Sequence, residues 1–379
     1  MVHIRILVAT DFHLGYRQYG LQEREEDFYR QFNCLVDSVI EENPDLFIEL
    51  GDVFDEPYPK PKAIKVFRDG IQRISDAGIP IIGVIGNHTL VHRKKFYPID
   101  RLFEEKIVLL NGDSLIFDDV WIGGLRYSSK LNDMKEQIDS MHEVAKNYKT
   151  KILLLHQGLK QIVPIGWDMD LEEMELNRFD YVLCGHIHQR YTMKIKNTTY
   201  HYPGSLNSCS VTDFIDEEEQ GKGYTILDTE NQTLKIENLQ NGRPFLDLNL
   251  TDDDLNENNI KRINESLKEY KIKPILRVKS ETKEPLNVYK ACEIWENNTL
   301  FINKKINKIT EILKIKEDEK MLSVDELIKK TVDEKYGKNS WQGEFAVELK
   351  NKLLQDKESG KEYADKIYKE KFKNGTGVH

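Results

Sequence analysis

Ile4-Arg5-Ile6-Leu7-Val8-Ala9-Thr10-Asp11-Phe12-His13-Leu14-Gly15 decides the fold of this chain. A run that reads as a buried β-strand, Ile4 to Ala9, leads straight into an aspartate and a histidine two positions apart. The arrangement recurs. Leu46 to Leu50 leads into Gly51-Asp52, Ile79 to Ile85 into Gly86-Asn87-His88, Lys151 to Leu155 into His156, and Tyr181 to Cys184 into Gly185-His186-Ile187-His188. Short apolar runs of this kind suit strands buried on both faces. In open α/β sheets, ligands gather at the carboxyl ends of the strands. Five strands therefore deliver Asp11, His13, Asp52, Asn87, His156, His186 and His188 to one crevice, enough donors for two metal ions.

All of these donors are oxygen or nitrogen. That points to manganese, iron or zinc rather than a cysteine-held structural zinc, and manganese is the ion expected. Two such ions about 3.5–4 Å apart polarise a phosphate and lower the pKa of a shared water, so the reaction expected is in-line attack of hydroxide on phosphorus. Asp11 and His13, two apart on an extended strand end, face the same side and can share one ion. The two oxygens of Asp52 suit a bridge between ions. His88, beside Asn87, points another way and is the candidate to stabilise the phosphate oxygens or protonate the leaving alkoxide. Each motif alone is a weak signal, because Asp-x-His or Gly-Asp arises often by chance; their joint order at strand ends carries the weight. Five of the ten histidines fall there, and His3, His92, His142, His201 and His379 read as surface or core residues.

A chain of 379 residues predicts two or three domains. Helical stripes at Glu25–Glu42, Pro61–Ala77, Tyr97–Glu104 and Asn132–Asn147 alternate with the strands. A β-meander follows over Thr192–Lys196, Thr199–Tyr202, Gly223–Asp228 and Thr233–Asn238. The expectation is α/β: a two-sheet sandwich flanked by helices over residues 1–242. Residues 243–303 read as a small α/β cap, with strands Phe245–Leu250 and Ile275–Lys279 around a helix Ile260–Tyr270. Residues 304–322, rich in lysine and glutamate, read as a linker, and residues 323–379 as a helical tail. Ser323 and Glu326 form a capping box there, and Val324, Leu327, Ile328 and then Trp341, Phe345, Leu349 form apolar stripes that either pack on the cap or dock on a partner.

A net charge of −10 excludes coating of nucleic acid by bulk electrostatics. It leaves room for a locally basic groove, since screening confines the field to about 10 Å. Four scattered cysteines predict free thiols in a reducing cytoplasm, and the absence of a stretch of about 18 apolar residues predicts no membrane span.

With these motifs in order, the chain resembles the calcineurin-like metallophosphoesterases, and more narrowly the SbcD family of double-strand-break repair nucleases. The narrower resemblance rests on Asp11-Phe12-His13-Leu14-Gly15, Gly51-Asp52-Val53-Phe54-Asp55 and Tyr202-Pro203-Gly204-Ser205. It implies that Asp11, His13, Asp52 and His188 hold a first ion, that Asp52, Asn87, His156 and His186 hold a second, and that His88 is catalytic. It also implies a manganese-dependent 3′-to-5′ exonuclease and single-strand or hairpin endonuclease. The enzyme would act on DNA ends as a homodimer with an SMC-like ATPase of the SbcC type, docked through the helices that begin at Val324 and Trp341. Tyr16, Arg17, His92, Arg93 and Lys94 are the candidates for DNA backbone contacts. Two departures stand out: Thr89 replaces the acidic residue the family commonly carries after Gly-Asn-His, and Asp55 stands where some relatives have histidine. A phosphodiesterase or phosphatase for small nucleotides would share every ligand, and a non-catalytic scaffold would be expected to have lost some.

Overall fold

The computed structural model describes residues 4–90, 98–163, 166–210, 213, 221–240, 242–309, 323–337 and 341–373. It comprises two compact units, 1–308 and 309–379. The first is built on two facing six-stranded sheets. In chain order the strands are β1 (Arg5–Ala9), β2 (Leu46–Glu49), β3 (Ile81–Val84), β4 (Ile107–Leu110), β5 (Asp113–Phe117), β6 (Val120–Gly124), β7 (Thr150–His156), β8 (Tyr181–Gly185), β9 (Tyr191–Ile195), β10 (Thr198–Tyr202), β11 (Gly223–Asp228) and β12 (Thr233–Asn238). One sheet runs β12-β11-β1-β2-β3-β4 and the other β5-β6-β7-β8-β10-β9. Strands β1 to β4 are mutually parallel, as are β6, β7, β8 and β10, so the carboxyl ends that carry the motifs lie along one edge of each sheet.

Side-chain alternation explains the layering. Ile6, Val8, Ile48 and Val84 of one sheet meet Ile122, Ile152, Leu154 and Leu183 of the other in the central core. Leu7, Ala9, Phe47 and Ile81 face outward onto helices α1 (Gln22–Glu42) and α2 (Pro61–Asp76). Leu153, Leu155 and Val182 face outward onto α3 (Leu131–Ala145). Both faces of the central strands are apolar, which is why the sequence runs are continuous rather than alternating. Strands β4 and β5 are half exposed, and the segment expected to be a helix over 97–104 is a 3₁₀ turn, Ile99–Phe103.

A third, all-parallel sheet of Phe245–Leu250 (β13), Ile275–Thr282 (β14) and Phe301–Lys308 (β15) carries helices Glu257–Lys268 and Pro285–Trp295. The expected linker from Lys304 is corrected here: Lys304 to Lys308 pair residue by residue with Val278 to Thr282. The lysines that suggested a linker belong to an edge strand, where charge is common: Lys305 lies on one face, while Lys304 and Lys308 share the face of Ile302 and Ile306, which pack inward, and Lys304 pairs with Glu296 at 3.2 Å. The rest of that expected linker, 310–322, lies outside the described residues. In the second unit, helices Val324–Tyr336, Trp341–Gln355 and Lys357–Tyr368 pack against one another in chain order. Val324 and Leu327 remain 63% and 51% exposed. Among the described residues no helix is long and apolar enough to cross a membrane.

One ionic knot joins the sandwich to the small sheet. Asp27 of α1 is fully buried and accepts from Arg24 at 2.6 Å, from Arg30 at 2.5 Å, and from Arg243, which leads into β13, at 2.5 and 3.0 Å. Arg24, also fully buried, lies over the rings of Phe28 and Phe245. Nearby, Tyr19 stacks on Phe301 with ring centroids 4.1 Å apart. Removing one partner of a buried pair strands the other charge. Asp27→Ala is therefore expected to cost about 3–5 kcal/mol in denaturant unfolding. Arg30→Ala, which removes a partly exposed partner, should cost about 1 kcal/mol or less. Equal costs would contradict this account.

Candidate metal centre

The motif loops are tied to one another before any side chain is considered. The backbone N–H groups of Asp11, His13 and Leu14 donate to the carbonyls of Gly51, Asp52 and Val53 at 3.1, 3.0 and 2.9 Å, so the ends of β1 and β2 are zipped together. The expected extended strand end at Asp11 and His13 is not what forms: their φ angles are 55° and 45°. Asp52 (φ 52°) and His186 (φ 83°) share this left-handed conformation. Such a backbone costs about 1–3 kcal/mol per non-glycine residue and persists only where surrounding bonds impose it. Glycines in the motifs serve close approach. A Cβ on Gly86 would lie 2.1 Å from Asp52 Oδ1, and one on Gly185 would lie 2.2 Å from the Leu50 carbonyl oxygen.

The seven sequence-predicted donors converge. Asp52 Oδ1 accepts the His88 backbone N–H at 2.9 Å, which leaves Oδ2 facing His156 Nε2 at 3.1 Å. Asn87 Oδ1 lies 3.2 Å from His156 Nε2 and 2.8 Å from His186 Nδ1. Across the cluster, Nε2 of His13 and Nε2 of His188 are 3.0 Å apart, each 3.9 Å from Asp11 Oδ1. Asp11, His13, Asp52 and His156 are buried, whereas the His88 side chain is 37% exposed. His88 Nδ1 lies 2.7 Å from the Asp55 carbonyl, so this nitrogen donates and Nε2, 3.9 Å from Asp52 Oδ2, faces the centre.

Oxygen acceptors fix three of the other rings in the same way. His156 Nδ1 donates to the Leu50 carbonyl at 2.5 Å and His188 Nδ1 to Asp213 at 2.8 Å, while His186 Nε2 sits 3.4 Å from Asp168. Each ring thus turns a lone pair towards the cluster. Two lone pairs 3.0 Å apart at His13 and His188 repel unless a cation or a proton lies between them. Asp11 Oδ1 is buried with no hydrogen-bond partner among the described residues. Electrostatics agree. Burial works against a charge on His156, yet the facing Asp52 carboxylate pushes its pKa up to about 9. Burial likewise opposes ionisation of Asp52, but His156, His13 and His88 hold it well below the usual carboxylate range. The donor set, its spacing and its appetite for positive charge all fit divalent ions with bonds near 2.1 Å. Groups drawn from His13, Asp52 and His88, and from Asp52, His156 and His186, lie close enough to ligate one ion each.

Sequence reading missed the groups behind the rings. Asp168 and Asp213 lie outside the motifs and are brought in only by the fold. Asp100, from the 3₁₀ turn, lies beside Thr89; burial pushes its pKa up to about 6 against the pull of the Thr89 hydroxyl. A carboxyl group thus stands where Thr89 itself supplies none. Asp55 sits 3.4 Å from His13 Nδ1, consistent with an orienting role. Tyr202 of the Tyr-Pro-Gly-Ser stretch is buried, donating to the Gln157 carbonyl at 2.8 Å and accepting from the Leu159 N–H at 3.0 Å. Of the residues expected to contact DNA, Tyr16 turns its hydroxyl towards the Cys209 carbonyl at 3.4 Å, and Arg17 pairs with Glu25 at 3.0 Å. His92, Arg93 and Lys94 lie outside the described residues.

Comparison with known proteins accords with this geometry. The calcineurin-like phosphoesterase family matches residues 4–190. The DNA double-strand break repair protein Mre11 of Methanococcus maripaludis is 31% identical over 95% of this chain and 98% of its own length. That of Methanocaldococcus jannaschii is 28% identical over 96% and 98%. The chain belongs to the Mre11 family, carries its calcineurin-like phosphoesterase domain, and is by that membership a metal-dependent phosphodiesterase.

Proposed function

We propose that this protein is a manganese-dependent DNA nuclease that processes broken ends, as a 3′-to-5′ exonuclease and a single-strand or hairpin endonuclease. The observation that carries the reading is the arrangement of seven donors around Asp52 Oδ2 and the His13–His188 pair, beside a partly open His88. The name shared by its relatives supports DNA ends as the substrate. Asp11, His13, Asp52 and His188 would hold one ion, and Asp52, Asn87, His156 and His186 the other. Bound ions supply Lewis acidity for the phosphodiester and lower the pKa of the attacking water.

The chain's own residues do the rest. Asp55 fixes the tautomer of His88, whose Nε2 then meets the phosphate oxygens or gives a proton to the leaving alkoxide. Asp168 and Asp213 hold the rings of His186 and His188 in register. Arg17 would bind backbone phosphate in exchange for Glu25, which adds affinity without sequence preference. Residues 1–242 would form the nuclease domain, and the small sheet, which runs on to Lys308, a cap over DNA. The exposed Val324 and Leu327, with Ile328, Trp341, Phe345 and Leu349, would dock an SMC-like ATPase, and two copies would pair.

An end-labelled blunt duplex and bis-p-nitrophenyl phosphate, each with manganese or chelator, test the reading. Manganese-dependent shortening of the duplex is expected, falling about 10²–10⁴-fold in His88→Ala. Hydrolysis of the small ester with DNA untouched, even with the ATPase present, would transfer the assignment to a small-nucleotide phosphodiesterase.

Carboxylates that orient metal-binding histidines typically contribute about 10–100-fold to metal affinity. Asp213→Asn and Asp168→Asn are expected to lose that much in isothermal titration with manganese. Unchanged affinity would remove the orienting role.

A further inference from the structure

Cys209 is the one cysteine grouped with candidate metal ligands among the described residues. Its backbone is held from both sides. The Cys209 N–H donates to Asp213 at 2.9 Å, and its carbonyl accepts from Gln18 at 3.1 Å and from Tyr16 at 3.4 Å. The preceding carbonyl, of Ser208, accepts from the buried Arg24 at 3.2 Å. Asp213, which anchors Cys209, also receives the Nδ1 proton of His188, so one carboxylate places both side chains.

The Sγ atom and one ring nitrogen each of His13 and His188 lie within 4.8 Å of one another. A second observation points into the same space: Asp11 Oδ1, fully buried and without a hydrogen-bond partner, is 3.9 Å from Nε2 of both histidines. The bland account of the thiol is a weak bond to the Asn207 carbonyl, 3.5 Å away. The thiol also interacts with the His188 ring, and neither contact accounts for the bare carboxylate oxygen of Asp11. The other cysteines are placed differently. Cys184 lies in the apolar cluster with Trp121 and Tyr202, Cys292 in that of the small sheet, and Cys34 on α1.

We propose that Cys209 is a further ligand of the ion held by Asp11, His13 and His188, binding as a thiolate. As the metal–sulfur bond forms, the thiol proton leaves to solvent. The inference rests on the metal-centre reading above and adds to it a soft donor that the seven oxygen and nitrogen ligands lack. Thiolate favours zinc, cobalt and ferrous iron over manganese, so this position would select differently from the one around His156 and His186.

Anaerobic titration of the chelator-treated full chain with cobalt(II) separates the two claims. Visible d–d bands report that cobalt is bound, and a sulfur-to-cobalt charge-transfer band in the near ultraviolet reports the thiolate. Wild type is expected to show both, and Cys209→Ser only the first. In zinc-loaded protein, X-ray absorption should show a sulfur scatterer at about 2.3 Å beside the nitrogen and oxygen shell at about 2.0–2.1 Å, lost in Cys209→Ser. Cobalt d–d bands without charge transfer in wild type would reject Cys209 and leave the metal centre standing, as would a sulfur shell that survives in Cys209→Ser. No cobalt bound at all would reject both.

Discussion

At the Leu50 carbonyl the two sheets meet through polar atoms beside the metal ligands, and the site depends on that meeting. It ends β2 in one sheet and accepts the Nδ1 proton of His156, which ends β7 in the other, at 2.5 Å. A methyl group on Gly185 would collide with the same oxygen. Facing sheets ordinarily stand about 10 Å apart, filled by side chains. Here Ile6, Val8, Ile152 and Leu183 fill the space between them. At the carboxyl ends, where Gly86 and Gly185 replace bulk, ligands from both sheets lie within reach of one ion.

Much of this could be read in the sequence, for a definite reason. Each ligand follows directly on a strand buried on both faces, so the apolar run and the motif reinforce each other, and the four-layer arrangement follows from the order of strands and helices. The rest was hidden where local signals were weak or misleading. Strands β4 and β5 are partly exposed and short, and β15 is rich in lysine. The left-handed angles at Asp11, His13, Asp52 and His186 are imposed by hydrogen bonds between loops far apart in sequence, which no residue preference announces. Asp168, Asp213 and Asp100 belong to no motif, and only the folded chain brings them behind the ligands.

Behind the centre lies a layer of acid that the motifs do not use. Glu49 is entirely buried, and burial, with Asp100 adding to it, pushes its pKa well above the usual carboxylate range. Its Oε2 accepts the Gly51 N–H at 2.8 Å, which steadies the turn that carries Asp52. This carboxyl group thus holds the loop from beneath, in a setting that disfavours its charge.

The knot at Asp27 bears on how divisible the first unit is. Its carboxylate, on the helix that covers one sheet, neutralises both Arg24 beneath it and Arg243 at the entry to the small sheet. Cutting the chain ahead of Arg243 would remove one of the three guanidinium groups around that carboxylate, leaving Arg24 and Arg30, and would uncover the face of Arg24 that Phe245 shields. The small sheet is therefore an integral part of the scaffold rather than an interchangeable module, and a shortened nuclease core would need a compensating change on α1 to stand alone.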